Sequence, residues 1–499
     1  MTAASDVRRK RVVVVGGGIT GLATAFTLVR RRPAIEVVLM EARSRLGGNI
    51  VTEERDGFLL DGGPDSFVRT KLDAVQLIRE VGLGDDLVTP ESRRVYVVHR
   101  GRLELMPAGL ALAVPTRLGP MVKTPLLGMG TKLRMLGDLC LPRTWGAPRD
   151  PAADESIEDF ITRRFGRGAA LQLVGPLLGG IYAGDIAQLS MRSTFPQLVE
   201  LQEKHGSLIR GLFCVQRARD AKAVPANPNA PSVRQHGSLL AWLRRAEQAP
   251  SPFYSLRRGM GSLVQALADA LGSDVVRMGA RVGRIERGAD LAAPWRILVD
   301  GMEPVTADAV VLTCPAHVAA ALVGDGALRA ELQAIPYVST ATVFLACRRS
   351  EGNSALDGVG FIVPEGEARI LAATWVSSKW GGRAPADGVL LRAFVGGARA
   401  EVAVEELSDE ELVALARAEL ERLQGPLGTG LFSRVYRYPR SNPQPVLGHD
   451  RRLARIRSRL DGLPGLHVAG AAYEGVGIPD CVRQGRNAAD RVAQHLGAA

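Results

Sequence analysis

Apolar positions in this chain fall into short runs bounded by glycine-rich turns, and the runs alternate with helical repeats. The first run, residues 12–15, is four valines and reads as a strand. It leads straight into Gly16-Gly17-Gly18-Ile19-Thr20-Gly21 and an apolar helical pattern. Further strands are read at 36–40 and 58–61. Residues 100–205 read as a helical region, within which 103–141 is rich in Leu, Met, Pro and Gly. From 221 to 235 a Pro-, Ala- and Asn-rich stretch breaks the periodicity and reads as an exposed loop. Arg258-Gly259-Met260-Gly261 then opens a helix through Leu271, followed by strands at 275–278 and 280–285, a strand pair, and the run 309–315. A last strand at 465–470 passes through a glycine-rich turn into a helix beginning near Asp480. The pattern predicts an α/β fold whose sheet is assembled from distant segments.

The first turn carries candidate chemistry. In GxGxxG, Gly16 permits the tight turn, Gly18 lets backbone approach a pyrophosphate, and Gly21 lets helix and strand pack closely. The helix N-terminus then offers unpaired N–H groups to phosphates. Glu41, 20 positions after Gly21 at the end of the second strand, is placed to accept hydrogen bonds from an adenosine ribose. The basic turn Arg43-Ser44-Arg45-Leu46-Gly47-Gly48 adds contacts suited to a longer dinucleotide, which favours FAD over NAD. Gly62-Gly63-Pro64-Asp65-Ser66 is a rigid turn against which a flat ring system can lie. The helix near Asp480 presents a second positive N-terminus.

Composition narrows the partners. The 499 residues are 46% hydrophobic and 23% charged, which suits two or three globular domains rather than disorder. The five cysteines are scattered without a CxxC pair and the seven histidines lack ligand spacing, so neither a disulfide framework nor a metal site is expected. The net charge of +11 favours acidic partners. Nucleic acid is not among them, because the basic residues are dispersed and aromatics reach only 5%. Residues 8–11 form a short basic run that reads as a solvated flank. No signal peptide or long apolar run is visible, so a transmembrane helix is not expected. Arg100, Arg102, Arg117, Lys123, Lys132, Arg134 and Arg143 face only Glu104 and Asp138, a balance that suits either an interfacial surface on anionic lipid or a buried helical subdomain with a basic rim.

These motifs, with the terminal segment Gly470-Ala471-Ala472-Tyr473-Glu474-Gly475-Val476-Gly477-Ile478-Pro479-Asp480-Cys481, resemble the flavin amine-oxidase-like superfamily. Within it the chain is similar to the protoporphyrinogen oxidase family. That resemblance is carried by Gly179-Gly180-Ile181-Tyr182-Ala183-Gly184-Asp185, Leu189-Ser190, Phe195-Pro196, Gly358-Val359-Gly360-Phe361-Ile362-Val363-Pro364 and Gly396-Gly397, in the family's order over nearly the whole chain. It implies a Rossmann-like FAD-binding domain of discontinuous segments (9–92, 250–316, 440–499), a mixed α+β substrate domain (93–99, 206–249, 317–439) and a helical membrane-associating domain (100–205).

The resemblance further implies FAD contacts at Gly16, Gly18, Gly21, Glu41, Ala42, Gly48, Gly62, Gly63, Pro64, Asp65, Val282, Tyr438, Val476, Gly477 and Ile478, with Gly17, Ile19 and Thr20 completing the first turn. Position 438 departs from the family pattern, since close relatives carry Trp there and Tyr offers a smaller stacking face. Substrate contacts are implied at Gly180, Val359, Gly360, Ile362, Thr374 and Phe394. Arg94 is implied as the propionate anchor, and Arg93 is its rival because a one-residue gap exchanges them. The implied activity is three successive two-electron oxidations of protoporphyrinogen IX to protoporphyrin IX in haem biosynthesis. Dioxygen reoxidises the flavin and hydrogen peroxide is the by-product. No Ser-His-Asp set, carboxylate pair or metal cluster stands in a matching motif, so no catalytic side chain is assigned and hydride is expected to pass from a meso carbon to the flavin itself. The implied setting is cytoplasmic and peripheral to a membrane, with a homodimer left open. Rival readings are a coproporphyrinogen III oxidase of the same fold, an amine oxidase or carotenoid desaturase, and a non-enzymatic FAD-stabilised membrane scaffold.

Overall fold

The computed structural model describes residues 9–111, 114–115, 118–143, 145–146, 150, 153–222, 251–288, 295–352, 356–401 and 403–497. Most of the stretch read as an exposed loop at 221–235 lies outside them; Ala221 and Lys222 end the helix Leu208–Lys222.

A five-stranded parallel sheet runs in the order Val276–Met278, Ile35–Glu41, Lys10–Val15, Ala309–Leu312, Leu466–Val468. Within Lys10–Val15 the run 12–15 is buried on both faces, which is why it is continuous valine rather than alternating. The chain leaves this strand toward Ile35–Glu41 on one side and returns on the other at Ala309–Leu312. The crevice at its carboxyl end is therefore a switch point, where open α/β sheets bind ligands. Helix Ile19–Arg31 packs on the sheet and against the C-terminal helix Ile478–His495, whose Gly485 allows an approach that a Cβ would block at 2.6 Å from Thr20 O.

A second, seven-stranded sheet runs Gly430–Pro443, Tyr337–Arg348, Gly388–Gly396, Ala372–Trp375, Gly360–Ile362, Val95–His99, Arg102–Leu105, and only the Gly360–Ile362 and Val95–His99 pair is parallel. One face packs Val343, Leu345, Phe361, Ala373, Trp375 and Ala393 against helix Asp409–Gln424. The other face turns toward the Gly62–Gly63 turn and the helical region.

The helical region starts later than expected and ends later too. Residues 102–105 are an edge strand of the second sheet rather than helix, followed by a short ribbon of Leu110–Ala111 and Val114–Pro115. The cause is local: Arg100 (φ 53°) and Gly101 (φ 74°) form a two-residue hairpin turn whose positive φ values match strand twist. Helices then run from Leu118–Lys123 to Leu208–Lys222, around a core that includes Phe160, Phe165, Leu178, Tyr182 and Phe195. Among the described residues no helix is long and apolar enough to cross a membrane.

Candidate active site

The turn after Lys10–Val15 is built as its sequence requires. Gly16 has φ 110°, a conformation side chains disfavour. Its carbonyl accepts from Thr313 Oγ1 at 2.9 Å. A Cβ at Gly21 would lie 1.9 Å from Gly16 O, so this glycine sets the helix-to-strand distance. Gly18 caps the helix in extended backbone with no side-chain cap, and no protein atom lies within 4 Å of where its Cβ would be. The free N–H groups of the first turn thus face an open cradle, while the Ile19 and Thr20 side chains are buried beneath it.

Glu41 sits beside this cradle, accepting from Gly17 N–H at 2.7 Å and Arg43 N–H at 2.9 Å. An ionised carboxylate has about four acceptor positions, so two remain for hydroxyl groups. Gly47 N–H donates to Gly17 O at 2.8 Å and Gly48, φ 59°, closes the second loop over Gly18; Ala42 is exposed at the rim. Val282 is buried on the strand tied to Glu41 through the Ala280 N–H, which donates to Glu41 O at 2.9 Å.

The Gly62-Gly63-Pro64-Asp65 turn lies against the open face of the second sheet. Thr342 Oγ1 donates to Gly62 O at 2.8 Å, and Arg392 Nη2 donates to Gly62 O at 2.8 Å and Gly63 O at 2.6 Å. A Cβ on Gly62 would strike the Tyr436 ring at 2.8 Å, and one on Gly63 would strike Asn49 O at 1.8 Å. Asp65 accepts from Lys379 Nζ at 2.7 Å and Trp380 Nε1 at 3.0 Å. Burial opposes its charge, but Lys379 and Arg392 hold its carboxyl well below the ordinary range. Asp61 pairs with Arg383 at 3.2 Å, and burial pushes its carboxyl up. The third wall comes from the C-terminal segment: Gly477 caps helix Ile478–His495, Ile478 is buried, and Val476 packs at the edge of the helical core. Lys71 Nζ reaches Asp480 in that helix's first turn at 2.6 Å.

Strand register decides which candidate substrate residues share a face. Val95, Gly360, Thr374, Arg392 and Phe344 form one cross-strand row, and Val97, Ile362, Ala372, Phe394, Thr342 and Tyr436 form the next. Gly360, Ile362, Thr374 and Phe394 are therefore brought together on the face that touches the Gly62–Gly63 turn. Gly360 is required by strand packing as well, since its φ is 135° and a Cβ would sit 2.1 Å from Ala373 O. Helix Gly175–Tyr182 lies opposite strand Gly360–Ile362, with Gly180 facing open space.

Arg94 and Val359 do not join this wall. Arg94 is ion-paired with Asp357, whose other oxygen accepts from Tyr96 OH at 2.7 Å, and Tyr96 packs with Trp375 on the helix-covered face. Val359 N–H donates to Arg94 O at 2.8 Å and shares Arg94's parity. Val95, on the wall side, alternates with Tyr96, and Arg93 stands two positions before it, exposed at the entrance to the strand.

The chain's residues 19–493 match the model of the flavin containing amine oxidoreductase family. The chain belongs to that family. Coproporphyrinogen III oxidase of Bacillus subtilis (strain 168) is 32% identical over 98% of this chain and 99% of its own length. The protein of that name from Propionibacterium freudenreichii subsp. freudenreichii is 35% identical over 98% of this chain and 91% of its own. Protoporphyrinogen oxidase 1, chloroplastic, of Arabidopsis thaliana is 30% identical over 94% and 85%. A crystal structure from Exiguobacterium sp. 255-15, provisionally named a protoporphyrinogen oxidase, superposes with TM-score 0.81 at 32% identity, covering 98% of this chain and 99% of that one.

As a member of the family the chain is a flavin-dependent oxidoreductase, and FAD is its cofactor. Its own residues fit that cofactor: the Gly18 cradle is open, Glu41 keeps acceptor capacity, and the buried Tyr438 hydroxyl beside Gly63 has no partner among the described residues. Sequence reasoning missed Thr342, Lys379, Trp380, Arg383, Arg392 and Tyr436, which shape the ring end. For Arg392 a signal existed: one arginine inside the otherwise apolar run 389–395 is expensive to bury without a purpose.

Proposed function

We propose that this flavin enzyme oxidises coproporphyrinogen III to coproporphyrin III in haem biosynthesis, with dioxygen as the electron acceptor and hydrogen peroxide as by-product. The observation that carries the reading is the match to three bacterial proteins named coproporphyrinogen III oxidase, each over 98% of this chain at 31–35% identity, against 28–30% for plant protoporphyrinogen oxidases. When bound, FAD supplies the two-electron acceptor. The chain's part is to hold a flat apolar ring against Ile362, Thr374 and Phe394 and to meet its carboxylate arms with cations at the cleft rim. On the register argument Arg93 is the proposed anchor and Arg94 a partner of Asp357. Protoporphyrinogen IX is the second reading, favoured by the plant relatives and by the name of the Exiguobacterium protein.

Anaerobic mixing of the yellow protein with each porphyrinogen tests this. Bleaching at about 450 nm, the flavin band, should accompany a rising porphyrin band, with higher kcat/KM for coproporphyrinogen. A tenfold preference for protoporphyrinogen would install the second reading, and no bleaching by either would end the porphyrinogen assignment.

A cytoplasmic, membrane-peripheral setting belongs to the same proposal. Its support is the exposed Val122, Met129 and Leu133 on helices Leu118–Lys123 and Met129–Leu136, next to Lys123 and Lys132. Flotation with acidic liposomes is the expected result, and recovery wholly in the soluble layer would remove this part.

A further inference from the structure

We infer that Arg392 tunes the cofactor's readiness to accept electrons, because it is a buried positive charge with no ion-pair partner of its own among the described residues. The inference rests on FAD binding and is independent of which porphyrinogen is oxidised.

The charges around the Gly62–Gly63 turn do not cancel. Lys379 is paired with Asp65 at 2.7 Å and Arg383 with Asp61 at 3.2 Å. Arg392 has no such partner among the described residues; its Nη2 donates to the carbonyls of Gly62 and Gly63, and its Nε is buried without a hydrogen bond. The three cations are between 2% and 8% exposed, and the carboxylates are buried or nearly so. The remaining groups that face Arg392 are uncharged near neutrality: Phe394 and Phe344 lie under the guanidinium at 4.4 and 5.4 Å, and burial raises the Tyr436 and Tyr438 hydroxyls. Three cations thus stand against two carboxylates in a place from which water is largely excluded.

An isolated buried charge is costly, and a guanidinium cannot discharge itself by losing its proton. Aromatic faces and backbone carbonyls recover part of that cost. The rest is recovered by an anion, and the function supplies one: FAD that takes up two electrons and one proton becomes FADH⁻, one unit more negative than before. Arg392 lies directly behind the turn expected to carry the ring, in the same strand row as Thr374 and Gly360 of the substrate wall. Its charge therefore favours the reduced cofactor and assists each electron transfer from substrate. Within a low-dielectric site such fixed charges act strongly on developing charge.

The test is anaerobic reduction of the FAD-loaded protein against redox dyes of known potential, with no porphyrinogen present. Arg392→Gln keeps a hydrogen-bond donor for the turn and removes the charge. It should lower the reduced-to-oxidised ratio at a fixed dye potential at least tenfold, ~30 mV for two electrons. Arg392→Lys, which keeps the charge, should stay within about threefold of wild type. Asp65→Asn removes a nearby negative charge and should shift the ratio the opposite way. An Arg392→Gln protein that keeps FAD and wild-type potential, losing only thermal stability, would reduce Arg392 to a strut for the turn. Should Arg392→Gln fail to retain FAD, Asp65→Asn and Arg392→Lys decide: a potential that does not rise in the former overturns the inference. A wild-type protein that bound no FAD would overturn the cofactor assignment instead.

Discussion

Gly18 and Gly21 lie three residues apart in one turn, yet an added methyl should do opposite things at the two positions. At Gly21 the new Cβ would be 1.9 Å from Gly16 O, against ordinary contacts of roughly 3.5 Å, so helix Ile19–Arg31 must move away from the sheet by about 1.5 Å. Overpacking of this kind costs about 1–3 kcal/mol, and more where the obstacle is backbone. At about 2–4 °C per kcal/mol for a domain of this size, Gly21→Ala should lower the Tm of the protein stripped of FAD by about 2–12 °C. At Gly18 the backbone is φ −71°, ψ 175°, which alanine adopts freely, and the Cβ meets nothing within 4 Å. Gly18→Ala should leave unfolding within about 0.5 kcal/mol of wild type. Its methyl should instead occupy the pyrophosphate's place and weaken FAD binding by a similar 1–3 kcal/mol, about 5- to 150-fold. Both variants can be stripped of flavin, unfolded thermally, and titrated with FAD by quenching of flavin fluorescence. A Gly18→Ala protein that bound FAD as tightly as wild type would refute the cradle.

Other outcomes follow from groups at the edge of the site and beyond it. Burial and the neighbouring Arg452 push His449 down to about 4 from its ordinary value near 6.5, so its contribution to stability is complete above about pH 6.5 and is lost as pH falls toward 4. The loss is about 3 kcal/mol, and thermal melts from pH 4 to 7 should show a shallower slope in His449→Gln; equal slopes would clear His449 of this role. Arg164 Nε donates to Asp138 Oδ1 at 2.6 Å in a fully buried pair that also takes Ser207 Oγ at 2.7 Å, so Arg164→Leu should cost about 3–5 kcal/mol in denaturant unfolding. An exposed ion pair contributes about 0–1 kcal/mol, so Arg94→Ala should barely change stability or KM. Arg93→Ala should raise KM for the porphyrinogen by the worth of a charged hydrogen bond, about 1.5–3 kcal/mol; the reverse ranking in steady-state kinetics would return the anchor to Arg94.

The chain's own order of residues determined the dinucleotide end of this site. Gly16, Gly21 and Glu41 act through a turn, a helix start and the end of one strand, and such geometry is set by neighbours a few positions away, so their spacing was enough to read. The three central strands of the parallel sheet were legible for a related reason: the full burial of 12–15, 37–40 and Ala309–Leu312 demands uninterrupted apolar side chains. The hairpin at 99–102 was misread as helix because Arg100-Gly101 is a weaker turn signal than Asn-Gly and the short strands beside it carry no periodicity long enough to show. Only the tertiary structure could place Arg94 beside Asp357 and Tyr96, since one step along an extended chain exchanges the two faces of a sheet and no local pattern says which face a helix will cover. The same holds for Lys379 and Arg383. Their positions in sequence are those of ordinary basic residues, and their meaning comes from burial beside Asp61 and Asp65, more than 300 residues away along the chain, where exclusion of water turns each charge into a strong constraint.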